Sequence, residues 1–600
     1  MRIYKVLNLL CTRLLGSSRR GPGGQEMQSP RGVAAQRRYR GGMYLSGVKP
    51  RSRYLVGLAV GAFLLRWGLL STRGAFLEFD ESYYLLIARS LSEGHGFAMN
   101  GLPQIAFPPL PALLLFGFER LFGSMITPAR VASAALGAVT TLAIYRAGRI
   151  WLNRRCGLIA ASLTATCPTL VTFVPAEAPY ARQLYFGHEP LGLFLMYASL
   201  WTLLGTLRRP TTLKGVMLGV SCALAYLTRN EWILFALSAL VLVGTAALAA
   251  PPDARRRAWL AFLAACISLA AAGAPYPLYL RSVTGSWMIT GKAGTAARIR
   301  PAITARVRDN DLYAFETAHY ALAPSGDRMA SSYWGYSGPE RTTGLGLSRA
   351  VIADNVRTYA GTLLPALIPW FLWPFILIFL FGYFRAGARG GRLAQAAMLS
   401  LLFPSLVVCL FLFVEPRHHL YLVPLALIIA SGGVLEASRF LKIERGWVLL
   451  GAGLSGVLLL ISILPVLSLS TGDSHLAEAA RTESLGRLLG GRLPPEEPII
   501  SLDPAVAFWA GRDWRVMPAA QLPQIVAYGL RRGSETIVFE RSMMKPPPGE
   551  SAAGTTPFSI FRVEGVTPEE ATKSLYRIER VEENALFTQY RIAGSIQVGP

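Results

Sequence analysis

From residue 54 onward the chain alternates long apolar runs with short charged loops. A helix crosses the hydrocarbon layer with about 20 mostly apolar residues. By that length the runs at 54–71, 127–151, 156–175, 189–207, 213–228, 232–250, 258–280, 359–383, 393–414, 420–438 and 447–469 predict eleven spans. The run FPPLPALLLFGFERLFG at 107–123 is left out. It is short, opens on a cluster of prolines, and would invert every later loop if it crossed, so it is expected to lie in or dip into the outer interface.

The loops carrying Arg146 to Arg155, Arg208 to Lys214, Arg255 to Arg257, Arg385 to Arg392 and Arg439 to Arg445 then all fall on one side. Cytoplasmic loops collect lysine and arginine, so that side is expected to be inside. Segments 72–126, 176–188 and 281–358, and everything after about residue 470, are expected outside. The first 53 residues are basic and rich in Gly and Ser, the composition of a disordered cytoplasmic arm. Met43 would also serve as a start ahead of the first span.

After the last span the pattern changes. ETIVFER, FSIFRVE, SLYRIERVE and ALFTQYRIA are short β-branched and aromatic stretches bounded by Gly and Pro turns. The expected architecture is an α-helical polytopic membrane protein of about eleven transmembrane helices with a small C-terminal extracytoplasmic α/β or α+β domain. Its parts would be the arm at 1–53, a multi-pass domain at 54–470 and a soluble domain at 471–600.

Composition agrees: 52% of the 600 residues are hydrophobic and 16% charged, with a mean hydropathy of +0.38. The net charge of +25 sits in the arm and the short loops, as membrane flanks do, so no nucleic-acid partner is expected. The cysteines have neither metal-ligand nor disulfide spacing and read as small buried side chains.

Four polar clusters fall at the expected outer ends of spans. Asp80 and Glu81 follow the first span, next to Tyr83. A carboxylate there could take a proton from an attacking hydroxyl, or Asp80 or Ser82 could simply cap the helix YYLLIARSL. His188 and Glu189 stand at the mouth of a later span, beside Tyr180, Arg182 and Tyr185. Glu189 before Pro190 is equally a natural helix start. In TRNEW, Arg229 lies outside, against the charge bias; it could bind a phosphate, or pair with Glu231. FVEPRHHLYLVP gathers Glu415, Arg417, His418, His419 and Tyr421, a set better suited to a phosphate or a lipid headgroup than to a metal, since adjacent histidines do not share a helix face.

The ordered stretches FDESYYLLIARSLSEGHGF, AFPPLPALLLFGFERLFG, RVASAALGAVTTLAIYRAGRIW, HEPLGLFLMYASL, GVMLGVSCALAYLTRNEWILFAL and EPRHHLYLVPLAL resemble the GT-C integral-membrane glycosyltransferases. The likeness is to bacterial relatives of the dolichyl-phosphate-mannose protein mannosyltransferases and of the lipid A aminoarabinose transferases, and it covers most of the chain from about residue 54. It implies a polyprenyl-phosphate sugar as donor, inversion at the anomeric carbon, and an acid of the first outer loop as base, here Asp80 with Glu81 as partner or alternate. Glu189 matches an acid at the start of a later outer-face helix. Arg229 and Arg417 match basic positions that meet the carrier phosphate, with His418, His188 and Tyr83 as further substrate contacts.

Three positions depart from the family pattern. Asn230 stands where Pro often follows the Arg, and His418 where a Tyr commonly does. Ala106 and Phe107 precede the proline pair, where the aminoarabinose transferases carry an acid. The expected function is an inverting transfer of a sugar to an acceptor hydroxyl of a protein, lipid or polysaccharide, at the outer face of the cytoplasmic membrane. The alternatives are a transporter or flippase of a lipid-linked sugar and a noncatalytic cell-envelope assembly partner. No cofactor is expected; the acid pair could hold a divalent cation, which the relatives are not expected to require.

Overall fold

The computed structural model describes residues 52–72, 79–171, 188–292, 302, 318–336, 349–358, 361, 367–385, 392–405, 419–443, 445–468, 474–540, 558–564, 566–567, 576–583 and 587–595. The helices are α1 Ser52–Thr72, α2 Phe79–Ser92, α3 Pro109–Phe122, α4 Ile126–Trp151, α5 Arg154–Thr166, α6 Pro168–Val171, α7 His188–Arg208, α8 Thr212–Thr228, α9 Ile233–Leu248 and α10 Pro252–Gly273. They continue with α11 Pro275–Thr284, α12 Arg349–Thr358, α13 Trp373–Arg385, α14 Arg392–Leu399, α15 Leu422–Phe440, α16 Gly446–Ser468, α17 Ser474–Arg492, α18 Pro504–Ala510 and α19 Leu522–Arg531.

Among the described residues, seven helices are long and apolar enough to cross a membrane, and Thr212–Thr228 and Trp370–Phe381 are shorter apolar helices. Each of these nine falls within or across an expected span. The run at 156–175 breaks in two because Cys167 is extended and Pro168 cannot continue the ladder of α5. The chain is a multi-pass membrane protein, and 107–123 is not among its candidate spans: α3 is only 14 residues long. It buries Pro111, Ala112 and Leu115, while Leu121 and Phe122 stay exposed.

In the bundle, α4 packs on α1, α5 and α7; α8 packs on α7 and α10; α5 packs on α15 and α16. Small residues set the closest approaches. A Cβ on Gly215 would lie 2.1 Å from the Ala261 carbonyl oxygen, and one on Gly219 2.3 Å from that of Ala265, so only glycine lets α8 and α10 meet.

The C-terminal domain is a six-stranded mixed sheet, in the order β4-β3-β5-β6-β8-β7, from β3 Ile499–Ser501, β4 Trp514–Val516, β5 Thr536–Glu540, β6 Phe558–Glu564, β7 Tyr576–Glu583 and β8 Phe587–Ser595. The last four strands are the four stretches read from the sequence. β3 runs parallel to β4 and to β5, with α18 and α19 as the crossovers, whereas β5–β6 and β7–β8 are antiparallel.

This domain does not stand apart. One hydrophobic core runs from Tyr83, Leu85 and Ile87 of α2 through Phe107 and Trp334 to Trp514, Ile537 and Ile592 of the sheet. Between α2 and α3 the chain forms a two-residue hairpin, β1 Ala98–Met99 and β2 Leu102–Pro103. Its turn residues Asn100 and Gly101 both take positive φ, 57° and 68°, as a primed turn requires. The Asn100 side chain accepts from the Val516 backbone N–H at 3.3 Å, and its carbonyl accepts from Arg532. Tyr279 of α11 donates to the carbonyls of Phe97 and Gln104, and Tyr276 donates to that of Ile105. The segment that carries the acid pair is thus clamped between bundle and domain. We call that side of the bundle the domain face.

Candidate active site

α2 begins at Phe79, so Asp80, Glu81 and Ser82 all lie in its first turn, where the helix dipole favours negative charge. Glu81 is buried, with 2% of its surface exposed. The Arg130 guanidinium on the second turn of α4 is attracted to Glu81 and, more strongly, to Glu483 of α17. One cation therefore ties the acid helix to the first helix of the C-terminal domain. Tyr83 packs with ring centroids 5.4 Å from Phe107, 5.6 Å from Trp334 and 5.4 Å from Trp514. That position makes Tyr83 a wedge of the shared core.

A second polar cluster forms where α7 starts, α8 ends and α15 starts. Glu189 sits in the first turn of α7, and Arg229 is the extended residue that ends α8. Asn230 and Glu231 follow in a single 3₁₀ turn Asn230–Trp232. The Arg229 Nε donates to Glu231 Oε1 at 2.8 Å, and its Nη1 stands 3.8 Å from Glu189 Oε1. Both Arg229 and Glu189 are about 5% exposed. Burying such an ion is costly unless it is paired, and here two carboxylates flank one guanidinium. The expectation that Arg229 meets the carrier phosphate is thereby modified: its charge already has carboxylate partners.

His419 joins this cluster from α15's side. Its Nδ1 lies 2.9 Å from the Ser405 hydroxyl, which lies 2.5 Å from that of Tyr421. Burial, and then the Arg229 charge, push its pKa down to about 4, with Glu231 opposing, so the ring is neutral near pH 7. Trp232 touches Tyr421 edge-on at 6.1 Å and lies over Gly192 of α7, where a Cβ would come within 2.4 Å of the indole. The cluster is linked to the domain face through Asn230, which donates to Thr290 at 2.9 Å. The neighbouring Gly291 packs against the Ile105 backbone.

Of the residues singled out in the sequence, the structure brings Glu189, Arg229, Glu231 and His419 together and places Glu81 beside Arg130. The side chains of Asp80 and His188, and Glu415, Arg417 and His418 altogether, lie outside the described residues. Arg130 and Ser405 went unnoticed in the sequence because each acts on a partner distant in the chain. Among the described residues no group of three or more His, Cys, Asp or Glu could hold a metal ion.

Residues 106–275 match the family described as dolichyl-phosphate-mannose-protein mannosyltransferase, a stretch that includes Glu189 and Arg229 but begins after the acid pair. No curated protein matches the chain. The fold is similar to that of the Archaeoglobus fulgidus oligosaccharyltransferase, crystallised with zinc and sulfate, at 15% identity and a TM-score of 0.50 over 82% of this chain and 68% of that one. ArnT from Cupriavidus metallidurans bound to undecaprenyl phosphate matches at 14% identity and a TM-score of 0.48, over 82% of this chain and 93% of its own. The chain is a multi-pass membrane protein with the GT-C glycosyltransferase fold, and its segment 106–275 is similar to the dolichyl-phosphate-mannose-protein mannosyltransferase family.

Proposed function

We propose that this protein is an inverting glycosyltransferase that moves a sugar from a polyprenyl-phosphate carrier to an acceptor hydroxyl at the outer face of the cytoplasmic membrane. The observation that carries the reading is the buried cluster of Glu189, Arg229, Glu231 and His419 at helix ends. Ionisable groups at such depth are expensive, and several of them gathered at helix ends make a functional-site candidate. The family match over 106–275 supports the carrier-linked donor.

Asp80 accepts the proton of the acceptor hydroxyl as that oxygen attacks the sugar C1. The bond from C1 to the phosphate oxygen breaks, the anomeric configuration inverts, and polyprenyl phosphate leaves. Because Arg130 answers the charge of Glu81, we assign proton acceptance to Asp80 and orientation to Glu81. Arg417 and His418, immediately before His419, are assigned to the leaving phosphate, where positive charge stabilises the transition state. Arg229, held by its two acids, positions His419; His188 supports the substrate from the start of α7, and Tyr83 holds α2 in place through its aromatic packing.

The test is turnover of synthetic polyprenyl-phosphate mannose and related sugars by the full chain in nanodiscs, with release of polyprenyl phosphate as the readout. A general base contributes about 10²–10⁴-fold, so Asp80→Asn should fall by that factor while still binding the donor. Full turnover in Asp80→Asn would remove Asp80 as the base. Mass spectrometry of envelope glycans from a deletion strain then identifies sugar and acceptor, as an accumulated donor and a missing residue.

A further inference from the structure

On the domain face a cleft of about 580 Å³ opens between the last turns of α2, the β1–β2 hairpin, α11 and the segment Arg512–Arg515 of the C-terminal domain. That is the size of a small-ligand site. It is distinct from the acid pair: position 89 lies two and a half turns, about 13 Å, beyond position 80, and half a turn round the helix.

Arg89, Arg512 and Arg515 line the cleft, against the carboxylates of Glu93 and Asp513. The arginines are fixed mainly by neutral partners. Arg89 donates to the Phe508 carbonyl at 2.6 Å and lies over that ring at 4.6 Å. Arg512 donates to the carbonyls of Gly490 and Leu493 at 2.8 and 2.6 Å. Arg515 donates to the Trp514 carbonyl, and its carboxylate neighbour Asp513 is 3.4 Å away and half exposed. Backbone carbonyls hold a guanidinium in place without cancelling its charge. Arg89 Nη1, Arg512 Nε and Arg515 Nε are buried with no hydrogen-bond partner, a cost that an anion alongside would reduce. Burial lowers the pKa of Arg89 and of Arg515 from the ordinary value, with Glu93, Glu119 and Asp513 opposing at Arg89 and Asp513 opposing at Arg515. The hairpin is shaped to admit one of them: a Cβ on Gly101 would lie 3.0 Å from the Arg515 guanidinium carbon.

We propose that this cleft is a second binding site, which takes a saccharide carrying carboxylate or phosphate groups. Fixed guanidiniums recognise the anionic substituents. Glu93 and Asp513, acceptors only, take hydrogen bonds from sugar hydroxyls. A neutral glycan would bring no anion to the arginines, and a simple anion would bring no hydroxyl to the carboxylates. That the saccharide belongs to the acceptor rests on the glycosyl-transfer reading; its binding does not.

The experiment measures binding of a tetraglucuronate, a phosphorylated tetrasaccharide, a neutral glucose tetramer and inorganic phosphate to the full chain in nanodiscs by calorimetry. One or both anionic saccharides should bind at least tenfold tighter than the neutral one and than phosphate, and whichever binds identifies the anion. Arg515→Gln and the cleft-filling Ala98→Trp should each weaken that binding tenfold or more at an unchanged unfolding temperature, and Arg515→Lys should restore part of it. Equal binding of all four probes, no saccharide binding, or full binding in Ala98→Trp would overturn the proposal. In turnover, Arg515→Gln should raise the acceptor KM rather than lower kcat. Absence of turnover of any polyprenyl-phosphate sugar by the unaltered chain would instead remove the transfer reading and leave the binding result standing.

Discussion

Among the described residues two arginines are buried in the helix bundle, and they keep different company. Arg66 of α1 is 3% exposed and is surrounded by carbonyl oxygens: Ala62 at 3.1 Å, Thr164 at 3.3 Å, Leu170 at 3.4 Å and Ala165 at 3.5 Å. The Thr164 and Ala165 carbonyls are left unsatisfied at the end of α5, that of Leu170 lies in α6, and that of Ala62 is one turn back in α1, so Arg66 ties α1 across the break made by Pro168. Gly137 of α4 leaves it room, since a Cβ there would sit 2.3 Å from Nε. Arg229 is equally buried but is met by two carboxylates and lies within electrostatic reach of a neutral histidine. A cation met only by carbonyls closes a helix. A cation set among groups that can change their charge or partners belongs to chemistry.

The comparison breaks most sharply at Arg229. Arg229→Gln leaves Glu189 buried without its cation, at a cost of roughly 3–5 kcal/mol, and should abolish turnover. Adding Glu189→Gln should recover most of the unfolding temperature in detergent and none of the turnover. If the double variant is active, Arg229 is as structural as Arg66.

Arg66→Met withdraws donors from several buried carbonyls and should cost about 1–3 kcal/mol, and Gly137→Ala should cost a similar amount by displacing the same side chain. Turnover per folded molecule should survive both. A folded but inactive Arg66→Met would erase the distinction.

A smaller effect comes from pH. The pKa of His419 is lowered to about 4 from an ordinary 6.5, as is that of His319 by burial among aromatic rings. Below pH 6.5 the unfolded chain takes up protons that the native one refuses until about pH 4. Stability is therefore full above pH 6.5 and is lost as the pH falls towards 4, by about 1 kcal/mol for each histidine at pH 5.5. Unfolding temperatures between pH 7.5 and 5 should show this fall, and His419→Gln should remove its share. An unchanged pH dependence in His419→Gln would separate His419 from the Arg229 cluster.

Hydropathy was enough to place nine of the eleven expected spans, to set the 107–123 run aside and to locate the tail strands, because periodicity and length are local properties; the runs at 156–175 and 393–414 form no continuous span among the described residues. Helix-end chemistry was legible as residue type: Glu189 and Arg229 were each marked, and so was the alternative of pairing Arg229 with Glu231. The partners were not legible. Nothing near Arg130 in sequence points to Glu81 or Glu483, and nothing near Arg66 points to Thr164. Tyr83 was singled out for standing beside two acids, yet its neighbours in space are Phe107, Trp334 and Trp514, the last from the far end of the chain. The Asn100-Gly101 pair is a hairpin signal that the apolar pattern around it obscured.

That hairpin also constrains biosynthesis. Asn100 and Arg532, which join through the Asn100 carbonyl, are 432 residues apart. At roughly 5–20 residues per second, about 20–90 s separate their synthesis. Throughout that interval the helix bearing Asp80 and Glu81 is already made but lacks the wall against which it packs. The acid pair therefore cannot acquire its final surroundings early, and the order of translation itself withholds a finished site until the last domain arrives.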